Sequence, residues 1–472
     1  MSDELNWLSA REMARRFADG SVSPVDVLEA TLKQLHTVNP ALNAICLLDE
    51  PQGRRMAAES AERWRRGAPL GPLDGVPVAI KDTAHVAGWP TRIGSHTTSV
   101  APSTEDTPGV ARLREAGAVF FCKTTTPEFG WKGITHGPLT GITRNPWDIS
   151  RTPGGSSGGS AALVAAGVVP LATGGDGGGS IRIPAAFSGV FGLKPSYGVV
   201  PNFLGPMGTL AVYGGLSRDV ADSALLLNVL TRPDARDSFA IPYRGIDYLD
   251  GLDEGVAGMH IAWSPDLGFP VADPAVVAGM QPAIDALVKA GAKVESVDLD
   301  LTAAQPALEV IWAATHAAVV RDFDGGQLAV LDPGLLRLAM SAQDISASEL
   351  QAAYADMRTL SQQMHHFHQH YDLLLTPTIP ITAFAAGVDT PDAERFPQWF
   401  DWTPLTWPFN LTRQPAASVP SGFVEGLPIG LQIVGPMFSE QKILRASRCV
   451  ERACASGARP SLVDRTSQVS QT

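Results

Sequence analysis

Apolar positions in the first 65 or so residues recur at helical spacing. Ser9 and Glu12 form a capping-box pair, and Gly20 stands where the helix they open would stop. Ser23-Pro24 supplies a second N-cap with proline at the first helical position, and Leu28, Leu32 and Leu35 fall on one face of the helix that follows. Ala57–Arg66 reads as a third, more polar helix. From about Pro69 the pattern changes to short apolar runs broken by glycine and proline. Val76–Ile80 and Ala118–Phe121 read as buried strands, with a helix over Pro108–Ala116 between them. Gly159–Ala166 reads as a helix leading into a strand at Val168–Thr173. Further strands are expected at Ala257–Trp263, Lys293–Val297, Leu373–Leu375 and Ile429–Val434, with one helix over Pro274–Ala290 capped by Asp273. This alternation predicts α/β units on a mainly parallel sheet. Residues from about Ser456 are polar and patternless, as in a loose tail.

Composition narrows the class. The chain has 472 residues, 44% apolar and 18% charged, which is ample for a core and disfavours disorder. Length alone suggests about three domains at roughly 150 residues each. Large α/β enzymes also wrap this much chain around one sheet. The expectation is a single domain over 1–472, with helices of 1–65 packed on a core of 66–455 and a tail over 456–472. The net charge of −12 repels phosphate backbones, and no dense Lys/Arg run offsets it, so no nucleic-acid partner is expected. Cys46, Cys122, Cys449 and Cys454 make no CxxC and no disulfide framework. The N-terminus lacks a signal layout. The longest small-apolar stretch, Ala161–Thr173, is broken by Gly167 and Pro170 and cannot span ~30 Å of hydrocarbon. A cytoplasmic protein without a membrane partner is expected, and a homodimer is the base-rate oligomer.

Three segments break local rules in ways a core does not require. In Gly75-Val-Pro-Val-Ala-Ile-Lys81-Asp82 a cation ends an apolar strand, where burial would draw its pKa towards that of a usable base. The alternative is a lysine snorkelling from a strand end. Pro153-Gly-Gly-Ser156-Ser157-Gly-Gly-Ser160 precedes a small-residue helix. Its glycines allow close backbone approach and the helix start offers free N–H groups, although the same letters also spell a flexible linker. In Gly174-Gly-Asp176-Gly-Gly-Gly179-Ser180-Ile-Arg182, four glycines fall in the five residues before a serine. Successive N–H groups there suit an oxyanion hole. No Gly-Lys-Ser/Thr follows, so a P-loop fails. Together these supply a base-capable lysine, a relay-capable serine and a serine beside backbone donors, the parts of acyl transfer without histidine.

The run GGSSGGSAA, the 24-residue step from Ser156 to Ser180 in DGGGSIRIPA, the upstream GVPVAIKD and the downstream GLKPSYG (192–198) resemble the amidase signature family. The similarity extends to PAASVPSGFVEGLPIGLQIVG (415–435) and so covers nearly the whole chain. The resemblance implies an α/β fold: a large mixed sheet with helices on both faces. It implies an amidohydrolase with no cofactor and no metal, acting on a small-molecule amide. Ser180 is then the nucleophile, Ser156 the bridging serine after a cis peptide bond and Lys81 the general base. The N–H groups of Gly177, Gly178, Gly179 and Ser180 would hold the oxyanion, with Asp176, Arg182 and Ser157 bracing the loop. One departure is visible. The family usually writes Gly-Thr-Asp where this chain has Gly174-Gly175-Asp176.

Other readings remain at this level. GxSxG at 155–159 would make Ser157 the nucleophile of an α/β-hydrolase elbow, but His260 and His316 do not lie in suitable loops. His366 and His370 would share a helical face, yet no HExxH accompanies them. An amidotransferase A-type subunit, releasing ammonia from glutamine for a partner, would carry an acidic residue near Thr403, where Asp401 lies close by. Finally, Phe396–Phe409 holds six aromatics in 14 residues. These rings, Trp402 and Trp407 among them, are expected to line a pocket for an apolar or aryl group, with core packing as the alternative.

Overall fold

The N-terminal helices over 10–65 begin where short-range chemistry caps them. The computed structural model describes residues 2–202, 208–460 and 462. Ser9 accepts from the Glu12 N–H to start the helix Ala10–Ala18, and a capping box of Ser23 with Asp26 starts Pro24–Leu42. Leu28, Leu32 and Leu35 are buried on the face this spacing selects. The third N-terminal helix begins earlier than its sequence suggests, at Glu50 behind an Asp49 cap, and runs to Arg65. The expected helix over 274–290 divides into Pro274–Gly279 and Gln281–Lys289. Pro282 has no N–H to give to Ala278, and a Cβ at Gly279 would lie 2.4 Å from Ile429, so this turn also packs directly against the sheet.

The strands are β1 (Ile45–Leu48), β2 (Pro77–Lys81), β3 (Val119–Thr124), β4 (His136–Gly137), β5 (Gly141–Ile142), β6 (Leu171–Asp176) and β7 (Phe191–Lys194). They continue with β8 (Val212–Ser217), β9 (His260–Trp263), β10 (Lys293–Ser296), β11 (Leu373–Pro377), β12 (Ala416–Val424) and β13 (Leu427–Val434). Eleven form one sheet in the order β1-β3-β2-β6-β8-β7-β12-β13-β11-β9-β10, and β4 pairs with β5 apart from it. The expectation of a mainly parallel sheet is corrected. β2 runs parallel to β3 and β6, and β9 to β10 and β11, while the joins at β1–β3, β6–β8, β7–β8, β7–β12, β12–β13 and β11–β13 are antiparallel. The hairpin β12–β13 and the returning strand β8 carry glycines that weaken a strand signature, so the turns in direction were hidden.

The three candidate segments gather at the ends of the neighbouring strands β2 and β6. β2 delivers Lys81 at its end. β6 starts after Pro170, later than expected, and runs through Gly174 and Gly175 to Asp176, with Gly175 opposite Tyr213 of β8. The small-residue helix Gly158–Ala165 is buried throughout, as is the helix Arg182–Ser188 that follows the glycine loop. Among the described residues no helix is long and apolar enough to cross a membrane. Of the expected tail, residues 461 and 463–472 lie outside the described residues.

Candidate active site

Strand β2 is buried at every position, and Lys81 is 1% exposed. Its backbone N–H donates to Thr173 Oγ1 at 2.9 Å, which ties β2 to β6. Its Nζ donates to Ser156 Oγ at 2.7 Å and to Ser157 Oγ at 2.9 Å. Burial lowers the Lys81 pKa to about 7, against the opposing pull of the Asp176 charge. A neutral amine at neutral pH is what a general base requires. The Gly155–Ser156 peptide bond is cis.

Ser156, Lys81 and Ser180 share the wall of one cavity of about 370 Å³. Ser180 is anchored through its carbonyl, which accepts from the Ser157 N–H at 3.1 Å. The Ser156 and Ser180 side chains are not hydrogen-bonded to each other, a separation that unliganded sites commonly close when substrate binds. Ser157 is fully buried, accepts from Lys81 and donates weakly to the Gly175 carbonyl, 3.4 Å away. It does not line the cavity. His260 instead contacts Glu295, and buried His316 contacts the Trp312 carbonyl, so the hydrolase-elbow reading lacks its triad.

The glycine loop is held from beneath by one ion pair. Asp176 and Arg182 are both fully buried and joined by two contacts of 2.9 Å. Burial would raise the Asp176 pKa, but the Arg182 guanidinium outweighs it and holds the carboxyl well below the usual range. Arg182 also donates to Thr406 O, Gln432 Oε1 and Asn410 Oδ1. Asp176 in turn accepts the N–H groups of Gly179 at 2.8 Å and Ile181 at 3.2 Å. The expected role of Gly179 as an oxyanion donor is therefore corrected, because its N–H is turned back to Asp176. The N–H groups of Gly177, Gly178 and Ser180 have no acceptor among the described residues. A Cβ at Gly178 would lie 2.6 Å from Trp399, and one at Gly179, where φ is +128°, 2.4 Å from Thr406 Oγ1. At Gly175, where the family usually has threonine, the nearest atom to an added Cβ is Val212 O at 3.7 Å. Glycine there enlarges the cavity.

The aromatic segment is core, which corrects the pocket expectation. Trp402 is fully buried, stacks on Phe187 with ring centres 5.9 Å apart and meets Phe384 edge-on. Trp407 is also fully buried, against Phe269, with its Nε1 donating to Phe400 O. Neither lines the cavity. The six rings enter two hydrophobic clusters, Phe396 and Trp402 in one and Trp399, Phe400, Trp407 and Phe409 in the other. Trp402→Ala is accordingly expected to lower unfolding stability by about 3–5 kcal/mol. The ratio of kcat/KM between acetamide and an aryl amide should stay unchanged, and chemical denaturation with paired kinetics checks both.

The cavity wall comes mostly from residues that carry no motif. Phe129 and Gly130, at φ +50° and +69°, follow β3, and a Cβ at Gly130 would sit 3.3 Å from Ser156 Oγ. Buried Glu128 pins this turn by accepting from Ser95 Oγ and the Asp332 N–H, both at 2.5 Å. Ile93, Val212, Tyr213 and Val319 add apolar surface, while Thr83 and His85 sit on the loop after Lys81. The available signal was position: Thr-Pro-Glu-Phe-Gly lies just beyond the carboxyl end of a strand neighbouring β2. The remaining wall residues have no local mark. The helix holding His366 ends at Phe367, so His366 and His370 do not share a helical face.

This fold is that of an amidohydrolase. A family model described as Amidase matches residues 26–444. The chain is 37% identical over 452 residues to the acylamidase of Rhodococcus erythropolis, covering 94% of each chain. It is 35% identical to the A-type subunit of the glutamyl-tRNA(Gln) amidotransferase of Symbiobacterium thermophilum, covering 97% of this chain and 99% of that one. Its fold matches a bacterial aryl acylamidase of the amidase signature family with a TM-score of 0.90 at 29% identity, over 98% of each chain. The chain belongs to the amidase signature family.

Proposed function

We propose that this amidohydrolase cleaves carboxylic amides bearing an apolar or aryl group, through an acyl-enzyme on Ser180. The observation that carries this reading is Lys81: buried, with a pKa drawn to about 7, and 2.7 Å from Ser156 at the floor of the cavity that Ser180 shares. Neutral Lys81 takes the Ser156 proton as Ser156 takes that of Ser180. Ser180 Oγ bonds to the carbonyl carbon, and the oxyanion is met by the N–H groups of Gly177, Gly178 and Ser180, each such donor typically worth on the order of 3 kcal/mol. Ser156 returns the proton to the departing amine as the C–N bond breaks. Water then releases the acyl group by the same relay.

The walls support an apolar substrate. Ile93, Phe129, Val212, Tyr213 and Val319 supply the surface, and Asp176, the one carboxylate among the described lining residues, is consumed by Arg182. The glutamine amine that an amidotransferase A-type subunit must hold has no acidic partner there. Thr403 donates to Trp399 O, and Asp401 lies off the cavity, bound to the Gln398 N–H. Intact-mass analysis after fluorophosphonate treatment tests the assignment. One adduct mapped to Ser180, lost in Ser180→Ala, is the expected result. An adduct on Ser157, or glutaminase activity that rises with a partner protein, would overturn it.

A further inference from the structure

Gly174, Gly178 and Gly179 are each imposed by packing. A Cβ on them would lie 2.9 Å from Ile181 Cγ1, 2.6 Å from Trp399 and 2.4 Å from Thr406 Oγ1, respectively. Gly175 is not imposed. Its φ lies outside the left-handed region, and among the described residues the one atom within 4 Å of an added Cβ is Val212 O, at 3.7 Å, an ordinary van der Waals contact. The pairing of β6 with β8 runs through Gly175, opposite Tyr213, without a bulge. Glycine inside a strand gives up packing and folding entropy. Where neither a bulge nor a crowding backbone asks for it, the remaining reason is close approach of a ligand.

The place of Gly175 says which part of a substrate meets it. Every other position of β6 is buried, whereas Gly175 is half-buried and lines the cavity, as do Val212 and Tyr213 of β8 and Thr83 beyond Lys81. β2 pairs with β6 only as far as Ala79 and Ala172, so at Gly175 the strand is paired with β8 alone. Gly175 also lies on the flank of the base. Its carbonyl accepts from Ser157 Oγ at 3.4 Å, and Ser157 Oγ accepts from Lys81 Nζ at 2.9 Å. In the relay described above, Ser156 hands its proton to the departing nitrogen, so the amine leaves on the side of Ser180 where Ser156 and Lys81 stand. The recess left by the missing side chain is therefore on the amine's side.

We propose that Gly175 is a specificity-determining residue, whose absent side chain leaves the space for an aryl ring on the departing amine. The proposal rests on the amidase reading above and narrows its substrate class to anilides and other N-aryl amides. A bare glycine exposes the flat face of its peptide planes, on which a ring can lie, and Val212 and Tyr213 supply apolar and aromatic surface beside it. Any side chain at 175 would occupy that space without disturbing the strand.

The test is kcat/KM of the full chain and of Gly175→Ala, Gly175→Val and Gly175→Thr on two matched series. One holds the acetyl group and varies the amine (acetamide, acetanilide, N-acetyl-2-naphthylamine), and the other holds aniline and lengthens the acyl chain from acetyl to hexanoyl. Valine and threonine should lower kcat/KM for the N-aryl amides relative to acetamide by about tenfold or more, mainly through KM, with alanine between them and the parent. The dependence on acyl length should stay within about threefold of the parent's. Competitive inhibition by 2-naphthylamine should weaken in step, a readout that does not pass through the proton relay. Thermal denaturation checks that the variants are folded, and if a branched residue prevents folding, Gly175→Ala with the naphthylamide carries the test. Losses that follow acyl length, that appear with threonine but not valine, or that are equal on all substrates would overturn the role of Gly175, as would no loss at all, while Ser180 labelling and turnover by the parent stand. Failure of every amide in the unmodified protein would instead remove the amidase reading and this one with it.

Discussion

Lys81→Ala is expected to lower amide turnover by about four orders of magnitude and turnover of a matched ester by distinctly less. Without the lysine, Ser156 has no group to receive its proton, and removal of one member of such a relay typically leaves only what the oxyanion donors and binding supply. Amide and ester differ in the second half of acylation. An alkoxide or phenoxide departs without help, whereas an amine must be protonated as the C–N bond breaks. The sign of the pH dependence follows from the same group. The base must be neutral, and its pKa is about 7, so kcat/KM rises with pH through about 7 and then levels off. Lys194, buried behind the glycine loop, is also drawn to about 7. The residual ester activity of Lys81→Ala assigns the limb: loss of the inflection identifies Lys81, and its persistence identifies another group. Equal losses on amide and ester would count against Lys81 as the source of the amine's proton.

Arg182→Met is expected to cost about 3–5 kcal/mol of unfolding stability, because it leaves the fully buried Asp176 carboxylate without its cation. A typical domain has about 5–15 kcal/mol in all, so this variant approaches unfolding at ambient temperature. Asp176→Asn in the same chain should recover part of the loss, and denaturant titration of the single and double variants measures the coupling. The folded-state pKa of Asp176 is depressed, so the stability it contributes is present above its unfolded pKa, near 4, and fades as pH falls below that. In Arg182→Met that dependence should reverse, since an unpaired buried carboxyl prefers its proton. The kinetic consequence follows from the geometry. Asp176 holds the N–H groups of Gly179 and Ile181, so loosening it unsettles the loop that presents Ser180. A variant of unchanged stability would show that other contacts of Asp176, such as that from Asn410 at 2.9 Å, suffice to hold it.

What the chain's letters determined by themselves were features decided within a few residues. Ser9, Ser23 and Asp273 cap helices because a side-chain oxygen reaches an N–H two or three positions on. The order and spacing of Lys81, Ser156 and Ser180 pointed to acyl transfer and to a family, since glycine-dense turns are costly unless the backbone is used. Pairing direction was beyond local reading where β8 joins β6 and β7 and β12 joins β7, because those partners lie roughly 20 to more than 200 residues away and the glycines mute the pattern. The aromatic run at 396–409 was legible as rings and not as core, since burial depends on what lies opposite. The Gly179 N–H was lost to Asp176 by a turn geometry that composition does not specify. Tertiary structure alone also assembled the cavity wall, from Phe129, Tyr213 and Val319 on separate elements, and lowered the Lys81 pKa. Both effects come from excluding water, and that takes every layer around the sheet at once.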